Sequence, residues 1–449
     1  MARPLYAYYG DDFTGSTDVL EALSLAGVRS VLFTGIPSEE RRREFADCQA
    51  VGIAGESRSR PPQWMSAQLP AIFRWLGGLG AAVVHYKTCS TFDSSPRIGS
   101  IGRALEIGRE TLASPFIPIV VAAPHLKRYV AFGNLFAAAG EQIHRIDRHP
   151  TMRSHPVTPM HEPDLRRHLA AQTRLRIGLV DLAAFALGRT AAALAECLSQ
   201  GDAAVLFDGM GETELEETGR LLWQCAVPKQ RMGPQQRGMD AERPLFCAGS
   251  SGLTYALLSE WRRAHLIGGE PTRTHAAPVD TLLVMSGSCS PVTERQIRAA
   301  LANGYHGISL DVSRLLDESP STAAAEKVVD EAVTHLRAGQ STVIYSALGP
   351  LAPAAQPGGG VLGSHVGALL RRILTATHVR RIVLAGGDTS THAVAQLGIH
   401  ALTWVASLEP GAPLCCAHGE APELGKLQLV LKGGQVGRDD FFERVRLWH

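Results

Sequence analysis

The segment at residues 11–18 contains three carboxylates and three hydroxyl groups. Two of the carboxylates, Asp11 and Asp12, are adjacent in the chain. Paired carboxylates can accept a proton from a substrate hydroxyl or bind Mg²⁺ together with other oxygen ligands. The pattern therefore predicts a site for a hydroxylated substrate. The alternative interpretation is a strand-to-helix turn whose Asp and Thr side chains only cap backbone groups.

The elements on either side would place this segment at the edge of a sheet. A strand is predicted over residues 5–9 and a helix over residues 19–26, with Ser16 or Thr17 as the N-cap. In an open α/β sheet, ligands bind at the carboxyl ends of the strands, and the positive end of a helix dipole there favours an anion.

Polar side chains also follow two further predicted strands: Arg58 after one, and Lys87, Ser90 and Asp93 after the other. Arg58 can hold a carboxylate through two hydrogen bonds, and Lys87 adds a compact positive charge. Ser90 and Asp93 can hydrogen-bond to sugar hydroxyls. Together they predict a site for a small polyhydroxylated acid, whereas each residue alone is also explained by an ordinary structural or surface role.

The whole chain alternates short β-branched runs with Ala- and Leu-rich helical stretches, which predicts an α/β fold with mostly parallel sheets. A polar stretch punctuated by Pro and Gly interrupts this alternation and has the character of a linker. We therefore expect an N-terminal domain over residues 1–262, a linker over 263–279 and a C-terminal domain over 280–449.

Composition excludes several classes of partner. The 449 residues carry a formal net charge of +1, and 45% of them are hydrophobic. We therefore expect no binding to nucleic acid or membranes. The eight cysteines include no CxxC pair and are expected to be reduced thiols. A cytoplasmic protein is expected, with a homodimer as its candidate assembly.

The predicted C-terminal domain has three loops rich in Gly and Ser, each directly after a predicted strand. Small residues let backbone N–H groups approach an anion, so these loops predict a nucleotide site. The sequence has neither the GxxxxGK[ST] motif nor a GxGxxG motif with a ribose-binding acid, and tight turns alone could explain any one loop. The candidate nucleotide-binding residues are Ser286, Ser288, Ser290, Gly386, Gly387, Asp388, Thr389 and Gly434.

These motifs resemble the four-carbon acid-sugar kinase family over nearly the whole chain. The resemblance rests on DDxTGxxD at residues 11–18, SGSxSxxTxxQI at 286–297, GGDT at 386–389 and Lys-Gly-Gly at 432–434. It implies an acid-sugar-binding N-terminal domain and an ATP-binding C-terminal domain, with the active site in the cleft between the domains.

Two segments depart from the pattern of the family, residues 87–97 and 124–129. The first lacks an acid and an Arg-Gly-Asn trio, and the second replaces a stretch that contains Gly-Arg. Both belong to the predicted substrate edge. This variant is similar to the branch that acts on 3-oxo-isoapionate in apiose breakdown.

The resemblance implies transfer of a phosphoryl group from ATP, with Mg²⁺, to a primary hydroxyl of the acid sugar, giving a 4-phosphate. Asp12, or Asp11, would be the general base, while Lys87 and Arg58 hold the substrate. Asp388 is the competing base or metal partner. The alternatives are a 3-oxo-tetronate 4-kinase, a threonate or erythronate kinase, and a non-catalytic acid-sugar sensor.

Overall fold

A computed structural model describes residues 3–155, 157–227, 243–268, 276–312, 323–349, 359–421, 424–425 and 427–448. For residues 359–361, 387–389 and 391 it describes the backbone only. Of the predicted linker 263–279, residues 269–275 lie outside the described part. Among the described residues, no helix is both long and apolar enough to cross a membrane.

The chain divides into two compact units. The first unit contains Met1–Asp11, Ala22–Ser30 and Ser38–Pro271, and the second contains Asp12–Glu21, Val31–Pro37 and Thr272–His449. Two short N-terminal segments therefore belong to the same unit as the C-terminal part of the chain.

The α/β fold with mostly parallel sheets is confirmed. The N-terminal strands are β1 (Tyr6–Gly10), β2 (Ser30–Phe33), β3 (Ala50–Ala54), β4 (Val83–Lys87), β5 (Ile117–Val120), β6 (Arg128–Ala131), β7 (Asn134–Ala139), β8 (Gln142–Arg145), β9 (Ile177–Val180), β10 (Ala204–Phe207) and β11 (Leu245–Gly249). The helices among them are α1 (Phe13–Leu25), α2 (Glu39–Arg43), α3 (Pro62–Gly78), α4 (Ile101–Leu112), α5 (Leu165–Ala170), α6 (Leu182–Ala186), α7 (Thr190–Ser199), α8 (Glu212–Ala226) and α9 (Ser251–Arg263).

The first unit is built on a parallel sheet in the order β3-β1-β4-β11-β5-β10-β9, and β6, β7 and β8 form a separate antiparallel sheet. Strand β1 is buried along its whole length, as expected for a central strand covered on both faces. Its Tyr8 ring needs the glycine on the neighbouring strand, because a Cβ atom at Gly52 would lie 2.2 Å from the Tyr8 ring carbon Cζ.

A buried hydrogen-bond chain links three of these strands. The Tyr6 hydroxyl lies 2.5 Å from Nδ1 of His85, and Nε2 of His85 lies 3.1 Å from the carbonyl oxygen of Gly249. Burial, followed by the charge of Lys87, lowers the pKa of His85 to about 3, so the ring is neutral. The neutral ring can then accept from Tyr6 and donate to Gly249, which ties β1 and β11 to β4.

The second unit contains the remaining elements. They are β12 (Leu283–Ser286), α10 (Pro291–Ala302), β13 (His306–Ser309), α11 (Ala323–Arg337), β14 (Thr342–Tyr345), α12 (Gly359–Ala376), β15 (Arg381–Ala385), α13 (Gly387–Gln396), β16 (Ile399–Ala406), β17 (Leu414–Gly419), β18 (Gln428–Lys432) and α14 (Phe441–Leu447). Strands β13-β14-β12-β15-β18 are parallel, and β17 and β16 continue the sheet in antiparallel orientation.

Hydrogen bonds hold the two N-terminal segments in the second unit. Leu32 pairs with Leu402 in an antiparallel ladder, and the Thr34 hydroxyl donates to the carbonyl oxygen of Ile399 at 2.7 Å. The Gly411 N–H donates to Oε2 of Glu21 at 2.7 Å. Burial raises the pKa of Glu21 to about 7, although hydrogen bonds from Ser407 and Gly411 oppose the shift.

The buried Glu21 carboxyl predicts a pH-dependent stability. Because its pKa is higher in the folded chain than its ordinary value of about 4.5, its stabilising contribution is complete below about pH 4.5 and is lost as the pH rises through about 7. In Glu21→Gln this loss is absent. The unfolding free energy of the variant relative to wild type should therefore rise by about 1–3 kcal/mol between about pH 5 and about pH 8.

Thermal or denaturant unfolding at both pH values measures this difference. Glu326→Gln is the matched control, because it removes an exposed carboxylate from α11 of the same unit. A difference between Glu21→Gln and wild type that is the same at both pH values would contradict the prediction.

Candidate active site

The strands at the centre of the first unit end at one level. In the register of the sheet, Gly10 of β1 pairs with Ala54 of β3 and Lys87 of β4. Gly249 of β11 pairs with Lys87 on one side and with Val120 of β5 on the other. The loops that follow these strands therefore leave from a common edge, where open α/β sheets bind ligands.

Backbone hydrogen bonds bring three predicted residues together at this edge. The Asp11 N–H donates to the carbonyl oxygen of Lys87 at 2.9 Å, and the Arg58 N–H donates to the carbonyl oxygen of Asp11 at 3.1 Å. The side chains of Asp11 and Lys87 are almost fully buried. Burial raises the pKa of Tyr9 and of Tyr86, and the nearby charge of Asp11 raises both further.

Arg58 and Asp93 form an ion pair within this set. Nη2 of Arg58 donates to both carboxylate oxygens of Asp93, at 2.9 and 3.0 Å, and Asp93 is 4% exposed. Burial alone would raise the pKa of Asp93, but the charge of Arg58 and hydrogen bonds from Thr91 and Thr158 lower it to about 2. Asp93 is therefore ionised at neutral pH, and a substrate carboxylate would share Arg58 with it.

Thr158 was not among the residues predicted from sequence. Its hydroxyl donates to Oδ2 of Asp93 at 2.8 Å, and its backbone N–H donates to Nδ1 of His155 at 3.1 Å. Both residues lie in the segment rich in Pro and His between residues 148 and 160. Its composition predicts an excursion from the sheet but does not show which side chain reaches Asp93.

Strand β11 also brings an unpredicted loop to the edge. Gly249 has φ +144°, and a Cβ atom there would lie 1.9 Å from the carbonyl oxygen of Val120. The Ser250 side chain caps α9 by accepting from the Gly252 N–H at 3.0 Å. A Gly-Ser-Ser-Gly run after a short apolar stretch was the available sequence signal.

Ser90, a predicted substrate-binding residue, lies half-buried on the turn that follows β4.

Asp12 begins helix α1 in the second unit. Its Oδ1 atom accepts from the Gly15 N–H at 2.5 Å, and its carbonyl oxygen accepts from the Ser16 hydroxyl at 2.6 Å. The predicted helix over residues 19–26 is present, since α1 runs from Phe13 to Leu25, but its predicted start and its predicted N-cap, Ser16 or Thr17, were wrong. Asp is a strong N-cap, and Asp12 occupies that position at the start of the polar segment.

The three Gly- and Ser-rich loops of the second unit start side by side. Ser286 of β12 pairs with Ala385 of β15, which pairs with Lys432 of β18. The Gly287 N–H donates to the carbonyl oxygen of Ala385 at 3.0 Å, and the Gly386 N–H donates to that of Lys432 at 2.9 Å. The loops predicted to bind a nucleotide are therefore neighbours.

Direct contacts join two of these loops. The hydroxyl of Ser290, the N-cap of α10, donates to the carbonyl oxygen of Gly434 at 2.7 Å, and the Thr293 hydroxyl donates to the same oxygen at 2.9 Å. A Cβ atom at Gly434 would lie 2.7 Å from Oγ of Ser288. The close packing requires glycine, and it leaves main-chain atoms next to the N-terminus of a 12-residue helix.

The third loop leads into α13, with Gly386 as the N-cap at φ +119° and Gly387 as the first helical residue. The side chains of Asp388 and Thr389 lie outside the described residues. Among the side chains that the structure does describe, no group of three or more His, Cys, Asp or Glu residues could hold a metal ion.

Comparison with protein-family models divides the chain in two. Residues 6–257 match a sugar-binding N-terminal domain, and residues 283–442 match a nucleotide-binding C-terminal domain. The first match includes the edge that carries Asp11, Arg58 and Lys87, and the second includes all three Gly- and Ser-rich loops.

Two relatives named as kinases match nearly the full length of the chain. The 3-oxo-isoapionate kinase of Paraburkholderia graminis is 44% identical over 98% of this chain and 94% of its own length. The 3-oxo-tetronate kinase of Pseudomonas savastanoi pv. phaseolicola is 32% identical over 99% of this chain and 97% of its own length.

Among solved structures, a Salmonella typhimurium LT2 protein, provisionally named a tRNA synthase, superimposes with a TM-score of 0.75 at 26% identity. The superposition covers 99% of this chain and 98% of that protein. Both domain matches and the similarity to kinases over nearly the whole chain identify the same family. The chain belongs to the four-carbon acid-sugar kinase family.

Proposed function

We propose that the protein is an ATP-dependent kinase that phosphorylates a primary hydroxyl of 3-oxo-isoapionate and gives its 4-phosphate. The observation that carries the proposal is the 44% identity to a 3-oxo-isoapionate kinase over 98% of the chain, against 32% for a 3-oxo-tetronate kinase. The segments that depart from the family pattern are residues 87–97, which begin at the last residue of β4, and residues 124–129, which follow the end of β5 and run into the start of β6. They support a substrate other than a plain tetronate.

In this proposal the edge of the first unit binds the acid sugar. Arg58 and Lys87 neutralise the substrate carboxylate, and Ser90 hydrogen-bonds to a hydroxyl. Asp93 holds the guanidinium of Arg58 through both carboxylate oxygens, so that group is fixed before the substrate arrives. A charge fixed in advance needs no reorganisation when the substrate binds.

The Gly- and Ser-rich loops of the second unit bind the nucleotide. The packing of Gly434 against Ser288 and the adjoining N-terminus of α10 suit phosphate groups, because backbone N–H groups and the helix dipole favour anions there. ATP supplies the phosphoryl group when it is bound. We propose that Mg²⁺ enters with the phosphates, since such sites need only one or two protein carboxylates.

Asp12 is the proposed general base, and Asp11 is the competing residue. Asp11 is almost fully buried, whereas Asp12 is half-buried and uses Oδ1 for the cap of α1. Greater exposure favours Asp12 as the carboxylate that meets a substrate hydroxyl. Asp388 remains the alternative base or metal partner, and an active site between the two domains remains a prediction.

The first prediction of this proposal concerns substrate choice. ATP consumption by the purified protein should be fastest, by kcat/KM, with 3-oxo-isoapionate, since the chain is 44% identical to a kinase of that substrate. A coupled ADP-release assay, run separately with 3-oxo-isoapionate, 3-oxo-tetronates, threonate and erythronate, measures kcat/KM for each substrate. A tetronate with the higher kcat/KM would replace the proposed substrate. The absence of turnover with every acid sugar tested would refute the proposed kinase activity.

The second prediction separates the two aspartates. Asp12→Asn should lower kcat by about 10²-fold or more, because a general base contributes that much and an amide cannot accept the proton. Asn caps helices as well as Asp does, so α1 should remain intact. Steady-state kinetics, with nucleotide binding measured by calorimetry, test this.

Asp12→Ala is the matched comparison, since it loses both the carboxylate and the cap and should also lower the melting temperature. A kcat close to wild type in Asp12→Asn would remove Asp12 as the base and leave Asp11 and Asp388 for the same test.

The third prediction concerns the nucleotide loops. Gly434→Ala should raise KM for ATP about tenfold or more, while KM for the acid sugar stays unchanged. The reason is that the added methyl group would push Ser288 and Ser290 away from the turn that contains Gly434. Gly433→Ala is the control on the same turn, where a Cβ atom would meet only Val436 at 3.5 Å. Equal effects of the two substitutions on KM for ATP would contradict this role of the packing.

A further inference from the structure

Lys432 is a fully buried cation at the end of β18. Its side chain is 0% exposed, and its Nζ atom donates to Oγ1 of Thr293 at 3.2 Å and to the carbonyl oxygen of Gly433 at 3.0 Å. The ring of Phe441 lies 5.9 Å from Nζ. All three partners are neutral, so within the described part of the chain no carboxylate forms an ion pair with this ammonium group.

An ammonium group in these surroundings is costly to keep charged. Burial lowers the pKa of Lys432 to about 7, and no charged group among the described side chains contributes to the shift. The residues that face Nζ from α10, from α14 and from the following turn are Thr293, Phe441 and Gly433, and none of them titrates near neutral pH. The side chain of Asp388 lies outside the described residues.

The position of the ammonium connects it to the nucleotide loops. Thr293, which accepts from Lys432, itself donates to the carbonyl oxygen of Gly434, as does Ser290. Lys432 therefore completes a hydrogen-bond network that holds the Gly433–Gly434 turn against the first turn of α10. A buried positive charge and the positive end of a helix dipole lie in the same network, and an anion would stabilise both.

We propose that Lys432 is a positioning residue for the phosphate groups of the nucleotide: it fixes the Gly433–Gly434 turn against α10, and the bound phosphates neutralise its charge. This inference rests on the proposed function, because it assigns a residue to the nucleotide site of the kinase. It also has a consequence that a purely structural lysine would not have. Nucleotide binding stabilises the charged form of Lys432 and is therefore linked to proton uptake.

Proton uptake can be measured without turnover. At about pH 8 a lysine with a pKa of about 7 is about nine-tenths neutral, while the phosphates of ADP are ionised both free and bound. Binding of MgADP to wild type should then take up about 0.5–1 proton. Titration calorimetry in Tris and in HEPES, which differ in ionisation enthalpy, gives this number directly.

Three variants complete the experiment. Lys432→Met should bind MgADP about tenfold or more weakly and without proton uptake, while KM for the acid sugar is unchanged. Lys432→Arg keeps a permanent charge and should bind more tightly than Lys432→Met, also without proton uptake. Lys327→Met removes one exposed lysine from α11 of the same unit and should bind MgADP as wild type does.

Wild type that consumes ATP but binds MgADP without proton uptake at about pH 8 would overturn the inference and leave the proposed function intact. The same holds if Lys432→Met binds as wild type does. The wild-type measurement decides the question even if Lys432→Met does not fold, which circular dichroism would show. Wild type that neither binds MgADP nor consumes ATP would refute the proposed function itself.

Discussion

In each unit, backbone hydrogen bonds between parallel strands hold the strand ends at one level, and the candidate site depends on this register. Lys87 pairs with Gly10 on one side and Gly249 on the other, so that three loops start beside one another. In the second unit, Ala385 pairs with Ser286 on one side and with Lys432 on the other, so that the three loops after these strands also start beside one another. A shift of one residue along any of these strands would turn its side chains to the opposite face and separate the loops.

The buried charged groups of the two units have different partners, and the difference suits an acid-sugar site in the first unit and a nucleotide site in the second. In the first unit, the Asp93 carboxylate accepts hydrogen bonds from Arg58 and from the hydroxyl groups of Thr91 and Thr158. Its negative charge is therefore compensated before a ligand binds. In the second unit, the described neighbours of Lys432 are neutral, and the proposed partner of its charge is a phosphate group of the nucleotide. An acid sugar needs a fixed and selective site, whereas the phosphates of a nucleotide bring a concentrated negative charge of their own.

Local sequence patterns predicted the α/β fold, the parallel sheets and both sets of loops, because alternating strands and helices and Gly- and Ser-rich turns are local signals. They did not predict β11, which is five residues long and inserts between β4 and β5 through pairing distant in sequence. Nor did they predict that Asp12–Glu21 and Val31–Pro37 belong to the second unit. That assignment depends on long-range hydrogen bonds such as the one from Thr34 to Ile399. Likewise, the contact between Thr158 and Asp93 joins side chains that no spacing rule relates.

The central claim is that a phosphoryl group passes from ATP to a primary hydroxyl of an acid sugar. The most direct measurement is a proton-coupled ³¹P NMR spectrum of the mixture that the protein forms from ATP and 3-oxo-isoapionate. We predict a new phosphate monoester signal split into a triplet by the two protons of a CH₂ group, appearing together with ADP. Release of inorganic phosphate alone, or a new ester signal split into a doublet by a single proton, would contradict it.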